Sequence, residues 1–473
     1  MCRSALLLGI SIFSTNIQAH SFGQVYNLPI PFPLYAWAAS NVLLFSFLII
    51  AYLSSVESPI TQTQTRLISF RIPASLDHTS KITRWLGVIS LVICITAGYV
   101  GNQNPYANIS MTLFWIILLL ALAYSSVLTG DLYRLLNPWK AIISLLPPNI
   151  RYGQWNYPRR LAYWPALAGY TTLVYLELFG PGTPRSLANM LVAYTLINLF
   201  GVWFIGSRCW FRYCEFLSVF FRLIGKMAPF RYNGDRRVEL KWNLAVAESQ
   251  NHVSLLLFIL FILSSTAYDS LHKTAAWQNL FWVHFYDLAL APHYGSDRIS
   301  AYSALIPLYD IWQKISLLAS PLVYFGIYML FISMSKRLSG YKDSTLKFGQ
   351  EFAYSLIPIA VVYHIAHYYT LVYSQGIKTI RLISDPLGKG WDIFGTAGLL
   401  RGSIIPDPAI VWHVQVGLII LGHLISVWIA HRVAMNIFDS TRKIIVSQLP
   451  ILTLMILFTI FGLWVLAEPM KIQ

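Results

Sequence analysis

The chain is poor in charge. Only 11% of its 473 residues are Asp, Glu, Lys or Arg, against roughly 25% in soluble domains. A water-soluble globule of this length would lack the charge to cover its surface, so that class is excluded. Acidic residues are scarcer than basic ones, 19 against 34. Cysteine is rare as well. Cys2, Cys94, Cys209 and Cys214 are the whole supply, and no disulfide framework can be built from them. No GxSxG, no P-loop and no GxGxxG in a strand–helix context occurs. A covalent serine hydrolase of that type and a nucleotide-driven pump are therefore unsupported. There is no internal repeat, low-complexity tract or soluble domain, and no nucleic-acid recognition module that would give the basic balance that meaning.

What the chain has in excess is apolar residues, 56% of the total, with 15% aromatic. They fall in runs of about 20, the length needed to cross a bilayer as a helix. We expect an all-α polytopic integral membrane protein with about ten transmembrane helices. The spans lie near 34–53, 85–101, 109–129, 162–179, 188–206, 252–268, 315–335, 350–374, 409–430 and 448–467.

Residues 1–19 read as a cleaved signal peptide, with Arg3 as the positive start, a short apolar stretch at 5–13 and Ala19 before the cleavage point. Residues 20–473 then form a single polytopic membrane domain that begins at His20. A terminal histidine offers an amine and a ring nitrogen, a donor pair suited to copper.

The loops 54–84, 130–161, 207–251, 336–349 and 431–447 hold 24 of the 34 Lys and Arg, and the opposite loops hold 8. This asymmetry places the first set in the cytoplasm and the mature N-terminus on the opposite side. In the basic loop 207–251, residues 208–228 mix Arg208, Arg212, Arg222 and Lys226 with Trp210, Phe216, Phe220 and Phe221, a pattern expected of a helix lying at the headgroups. Residues 131–146 look similar, with a break at Pro138. Residues 269–314 are long enough for a small outer cap.

Ionisable groups inside spans are costly, so each one is a candidate site. His364 and His367 lie three apart on the eighth span and so share a helix face. Upstream, Pro358 can kink that helix and free a carbonyl. On the ninth span His413 sits at a matching depth. Three imidazoles with an open position would make a catalytic metal centre for copper or zinc. His284 in the cap could add a donor, and Asp269, Asp287, Glu177 and Asp310 are carboxylates on the same side. The same histidines could instead bond helix to helix, line a proton or copper path in a transporter, or hold a haem between His364 or His367 and His413 in a redox subunit.

Several stretches resemble the bacterial integral-membrane fenitrothion hydrolases: AHSFGQVYNLPIPFPLY at 19–35, GDLYRLLNPWKAI at 130–142, TAYDSL at 266–271 and IPIAVVYHIAHY at 357–368. The likeness continues through SDPLGKGWDIFGTA at 384–397, VWHVQVGLIILGH at 411–423 and SQLPILTLMILFTIFGLW at 447–464. It implies a hydrolase of apolar aryl phosphotriesters bound to the bacterial inner membrane, with the mature N-terminus in the periplasm. In that reading a divalent metal on His364, His367 and His413 activates water, and Asp269, Asp287 or Asp392 orients it. The expected partners are the lipid bilayer, an apolar small-molecule substrate and a second membrane subunit.

Overall fold

In the computed structural model the described residues are 31–56, 69–71, 76–233, 237–240, 252–295, 297–400, 402, 404 and 406–468. The signal-peptide region and His20 lie outside them. The long helices are α1 (Phe32–Val56), α2 (Leu76–Val100), α3 (Ile109–Thr129), α4 (Trp164–Phe179), α5 (Pro184–Ile205), α6 (Phe216–Gly225), α7 (Val253–Leu271), α8 (Arg298–Ser339), α9 (Thr345–Gly376), α10 (Pro408–Ile437) and α11 (Thr441–Ala467). Nine of these are long and apolar enough to cross a membrane. The protein is an all-α polytopic membrane protein. The tenth expected span, α4, has 16 residues, about 24 Å at 1.5 Å per residue, short of the roughly 30 Å hydrocarbon core.

Helix α7 is the axis of the bundle. Its sequence, VSLLLFILFILSSTAYDSL, is apolar in its first half and carries Ser264, Ser265, Thr266, Asp269 and Ser270 in its second, polar groups that are costly against lipid and so are turned into the protein. Within its most apolar window 94% of residues are buried, against 17% for α8. Helices α4, α8 and α9 pack on α7, α10 packs on α9, and α11 bridges α8, α10 and α1. Helix α2 packs on α5, and α3 joins that group to α9. The described parts of the basic loops gather at one end, which we call the basic end: Gly225 meets Asp131, Gly206 meets Tyr152, Lys226 lies over Tyr354 and Tyr341 packs near Phe438. A small antiparallel sheet ties two of them together: β1 (Ser69–Arg71) pairs with β3 (Arg237–Leu240), which pairs with β2 (Phe230–Asn233).

Residues 208–228 depart from expectation. Helix α6 is buried in the protein rather than lying on its surface, with only Arg222 and Gly225 less than fully covered. Phe216, Leu217, Val219, Phe220, Phe221, Leu223 and Ile224 pack into the core, and the short polar stripe is used within the protein too: Ser218 accepts the Asn137 amide at 3.2 Å and Arg222 donates to the Arg212 carbonyl at 2.6 Å. The start of the helix is fixed by Glu215, itself buried. That carboxylate accepts the Ser218 N–H at 2.7 Å, the Tyr133 hydroxyl at 3.3 Å, the Asn137 amide at 3.4 Å and the Tyr194 hydroxyl. Residues 131–146 break as expected, with Asn137 capping a short helix that opens on Pro138.

Helix α9 shows the effect of Pro358. The chain tightens to a 3-10 turn at Ala353–Ser355, because the proline ring cannot sit against the carbonyl four residues earlier. Beside this turn the Ser355 carbonyl accepts the Ser426 hydroxyl of α10. Further along, Gly422 lets α10 approach closely: a Cβ there would lie 2.0 Å from Val362 Cγ2.

Candidate functional site

The candidate site lies at the end of α7 away from the basic loops, where α7 meets α9. Asp269 is 1% exposed. Its Oδ2 lies 2.8 Å from His367 Nε2 and accepts the Tyr368 hydroxyl at 2.8 Å. Its Oδ1 accepts Lys273 Nζ at 2.8 Å, one turn along the same helix. The second ring nitrogen of His367, Nδ1, is 2.9 Å from the Ser270 hydroxyl. A carboxylate, an ammonium, an imidazole and two hydroxyls thus form one connected group in an apolar bundle. Such a group persists only when every member has a partner.

A small cavity of about 40 Å³ adjoins this group between α3, α4, α6 and α9. Its wall is apolar apart from Glu177, His364 and Tyr368. The Tyr368 ring links the two regions, with its centroid 4.9 Å from that of His364 and 4.3 Å from that of His367.

Not every residue proposed from the sequence comes to this place. His413 matches His367 in depth, as expected: Gln415 of α10 bonds the Ala366 carbonyl and Tyr369 bonds the Val411 carbonyl. Its direction is wrong for a shared metal site. Val411, Gln415, Gly422 and Ser426 form the stripe of α10 that touches α9. Residue 413 is two positions from both 411 and 415, about 200° round a helix of 3.6 residues per turn. It is exposed, with Nδ1 2.7 Å from the Ala409 carbonyl and Nε2 3.5 Å from the Tyr35 hydroxyl. Among the described residues no three His, Cys, Asp or Glu side chains come together to hold a metal ion, and the His413 pairing that a haem would need is absent for the same reason.

His284 is exposed on the cap. Asp287 is exposed too and is taken up by Arg298 at 2.6 Å. Asp392 sits in an exposed turn, accepting the Ala397 N–H at 2.9 Å. None of these three joins the buried group. Of the proposed residues, Asp269 and His367 do, and His364 and Glu177 line the adjoining cavity.

No family model matches the chain. No curated protein and no solved structure matches it either. Function is therefore read from the residues themselves. Two of them, Lys273 and Ser270, escape a search for intramembrane histidines and carboxylates. The signal for Lys273 is in the sequence: it follows Asp269 by four, the spacing of a helical ion pair.

Proposed function

We propose that this protein is a membrane permease that exchanges protons, with Asp269 and His367 as the exchanging pair. The observation that carries this is the 2.8 Å contact of the two side chains inside the bundle. Asp269 and Lys273 balance each other's charge. A proton arriving on His367 adds a net charge where the dielectric is low, so its free energy depends strongly on what occupies the neighbouring space. That sensitivity is what a coupled carrier needs. Aspartate–histidine chains inside membranes serve as proton relays for this reason. The loop asymmetry supports a basic end that faces the cytoplasm, with the pair toward the opposite side of the membrane.

The test uses purified protein in vesicles loaded with a pH dye, with K⁺ and Mn²⁺ enclosed so that either ion can leave in exchange. After an outside acid step, protons should enter at least tenfold faster than in empty vesicles. Asp269→Asn and His367→Gln should each remove that excess. Equal rates with and without the protein would sink the proposal.

A second reading keeps the phosphotriester hydrolysis that the resemblance implies. Ser270, His367 and Asp269 follow one another as hydroxyl, imidazole and carboxylate, the order in which a base activates a nucleophile and a carboxylate orients the base. The bound water that a metal would otherwise activate is then not required. Ser270 is fully buried, so an apolar ester would have to enter from the bilayer between α7 and α9. Release of nitrophenol from an aryl triester by membranes carrying the protein, abolished in Ser270→Ala, is the expected result. Unchanged release in that variant excludes this route.

A further inference from the structure

We infer that the cavity between α3, α4, α6 and α9 binds one divalent cation, held by Glu177 and His364. The cavity of about 40 Å³ is large enough for a few waters, at roughly 10–15 Å³ each, or for one ion with part of its water shell. Trp115, Tyr170, Phe220 and Leu371 supply much of the wall, and none of these side chains donates to a carboxylate there.

Glu177 lines this space and makes no hydrogen bond or ion pair among the described residues. Neither ring nitrogen of His364 has a hydrogen-bond partner among them, while its ring packs edge-on against Tyr124 and Phe220. Two ionisable side chains of complementary kind, each partly covered and each without a hydrogen-bond partner among the described residues, line one space. A polar group left without a partner among apolar neighbours costs up to a few kcal/mol. Two such groups at one cavity point to a ligand that satisfies both.

The chemistry of the pair selects the ligand. A carboxylate oxygen and an imidazole nitrogen suit a borderline divalent ion such as Zn²⁺, Co²⁺ or Mn²⁺. Ca²⁺ and Mg²⁺ favour all-oxygen shells, so the histidine counts against them. With only two protein ligands, water completes the shell. That makes the ion exchangeable, as cargo must be, in contrast to the three or four ligands of a resident site. The Tyr368 ring touches His364 on one side and His367 on the other, and its hydroxyl donates to Asp269. Filling the cavity is therefore felt at the proton pair. That the ion is cargo exchanged for the proton rests on the proton-exchange reading; its binding does not.

The experiment titrates Co²⁺ into the full-length protein in lipid nanodiscs, following the visible absorption that appears on coordination. The titration is done in the His20→Ala form so that the histidine expected at a mature terminus does not contribute. One ion per chain is expected. Glu177→Gln and His364→Leu should each weaken binding at least tenfold, and His413→Ala should leave it unchanged. Glu177→Gln preserves the side-chain shape, so it serves if His364→Leu fails to fold. Absent saturable binding, or binding that survives Glu177→Gln, overturns the site. Binding that holds while vesicle proton entry shows no dependence on enclosed Mn²⁺ or Co²⁺ overturns the cargo role alone.

Discussion

The carboxylate of Asp269 and the ring of His367 meet at 2.8 Å across the α7–α9 contact. Both are buried, and Lys273 closes the other side of the carboxylate. The arrangement makes α9, with its proline-induced turn, and α7, the most buried helix, a single electrostatic unit. A movement of either helix changes the surroundings of the shared proton.

The ion pair also has a stability consequence. In Asp269→Asn the ammonium of Lys273, 12% exposed, is left without its charge partner. Breaking a buried pair from one side costs about 3–5 kcal/mol, while removing both charges is often close to neutral. We expect Asp269→Asn to lower the melting temperature in detergent clearly, and Asp269→Asn with Lys273→Met to recover most of that loss. Equal melting of the single and double variants would show that the pair is not coupled.

Close approach of α9 and α10 depends on Gly422. A methyl group there meets Val362 Cγ2 at 2.0 Å, so Gly422→Ala should destabilise by about 1–3 kcal/mol, the usual range for overpacking. Val362→Ala makes room on the partner. The double variant should be more stable than Gly422→Ala alone, as read by thermal unfolding followed by tryptophan fluorescence.

The membrane class and nearly every span were legible because each depends on composition and run length, which the chain states directly. The depth of His413 was legible from the same runs. Its direction was not, because α10 is apolar on all faces and no polar stripe marks which side meets α9. The neighbours that fix it, Gly422 against Val362 and Gln415 on Ala366, are contacts between helices. Helix α6 was misplaced for the opposite reason. Its flanking arginines suggested a surface, while the apolar residues within it go to the interior. Asp269 was visible as an acid at the end of a span, but its bond to His367 joins residues 98 apart in sequence, and no local pattern encodes it.

Two cysteines near α6 should differ in reactivity. Burial pushes the Cys214 thiol up to about 11, with the Tyr157 side chain opposing the shift, whereas Cys209 is partly exposed. The thiolate is the reactive form. At pH 8 iodoacetamide should label Cys209 in the folded protein and leave Cys214 intact. Labelling of Cys214 should rise only as pH approaches 11 or when the protein unfolds. Mass spectrometry of the tryptic peptides reads both, and equal labelling of the two at pH 8 would contradict the burial.

Glu215 is the test of the buried placement of α6. Its carboxylate takes four donors at once, from Tyr133, Asn137, Tyr194 and the Ser218 backbone. Glu215→Ala removes the acceptor and strands these donors in the interior. Each stranded donor costs roughly 1–3 kcal/mol where water cannot reach it. Glu215→Gln keeps one acceptor oxygen for the Ser218 N–H, but its amide group faces hydroxyls and an amide that all need to donate. We therefore expect the order wild type, Glu215→Gln, Glu215→Ala in thermal stability, with the last losing several kcal/mol. The same order should appear in trypsin cleavage after Arg222, which the packed helix protects and a released one exposes. A helix lying at the headgroups would present Arg222 to trypsin in all three proteins alike.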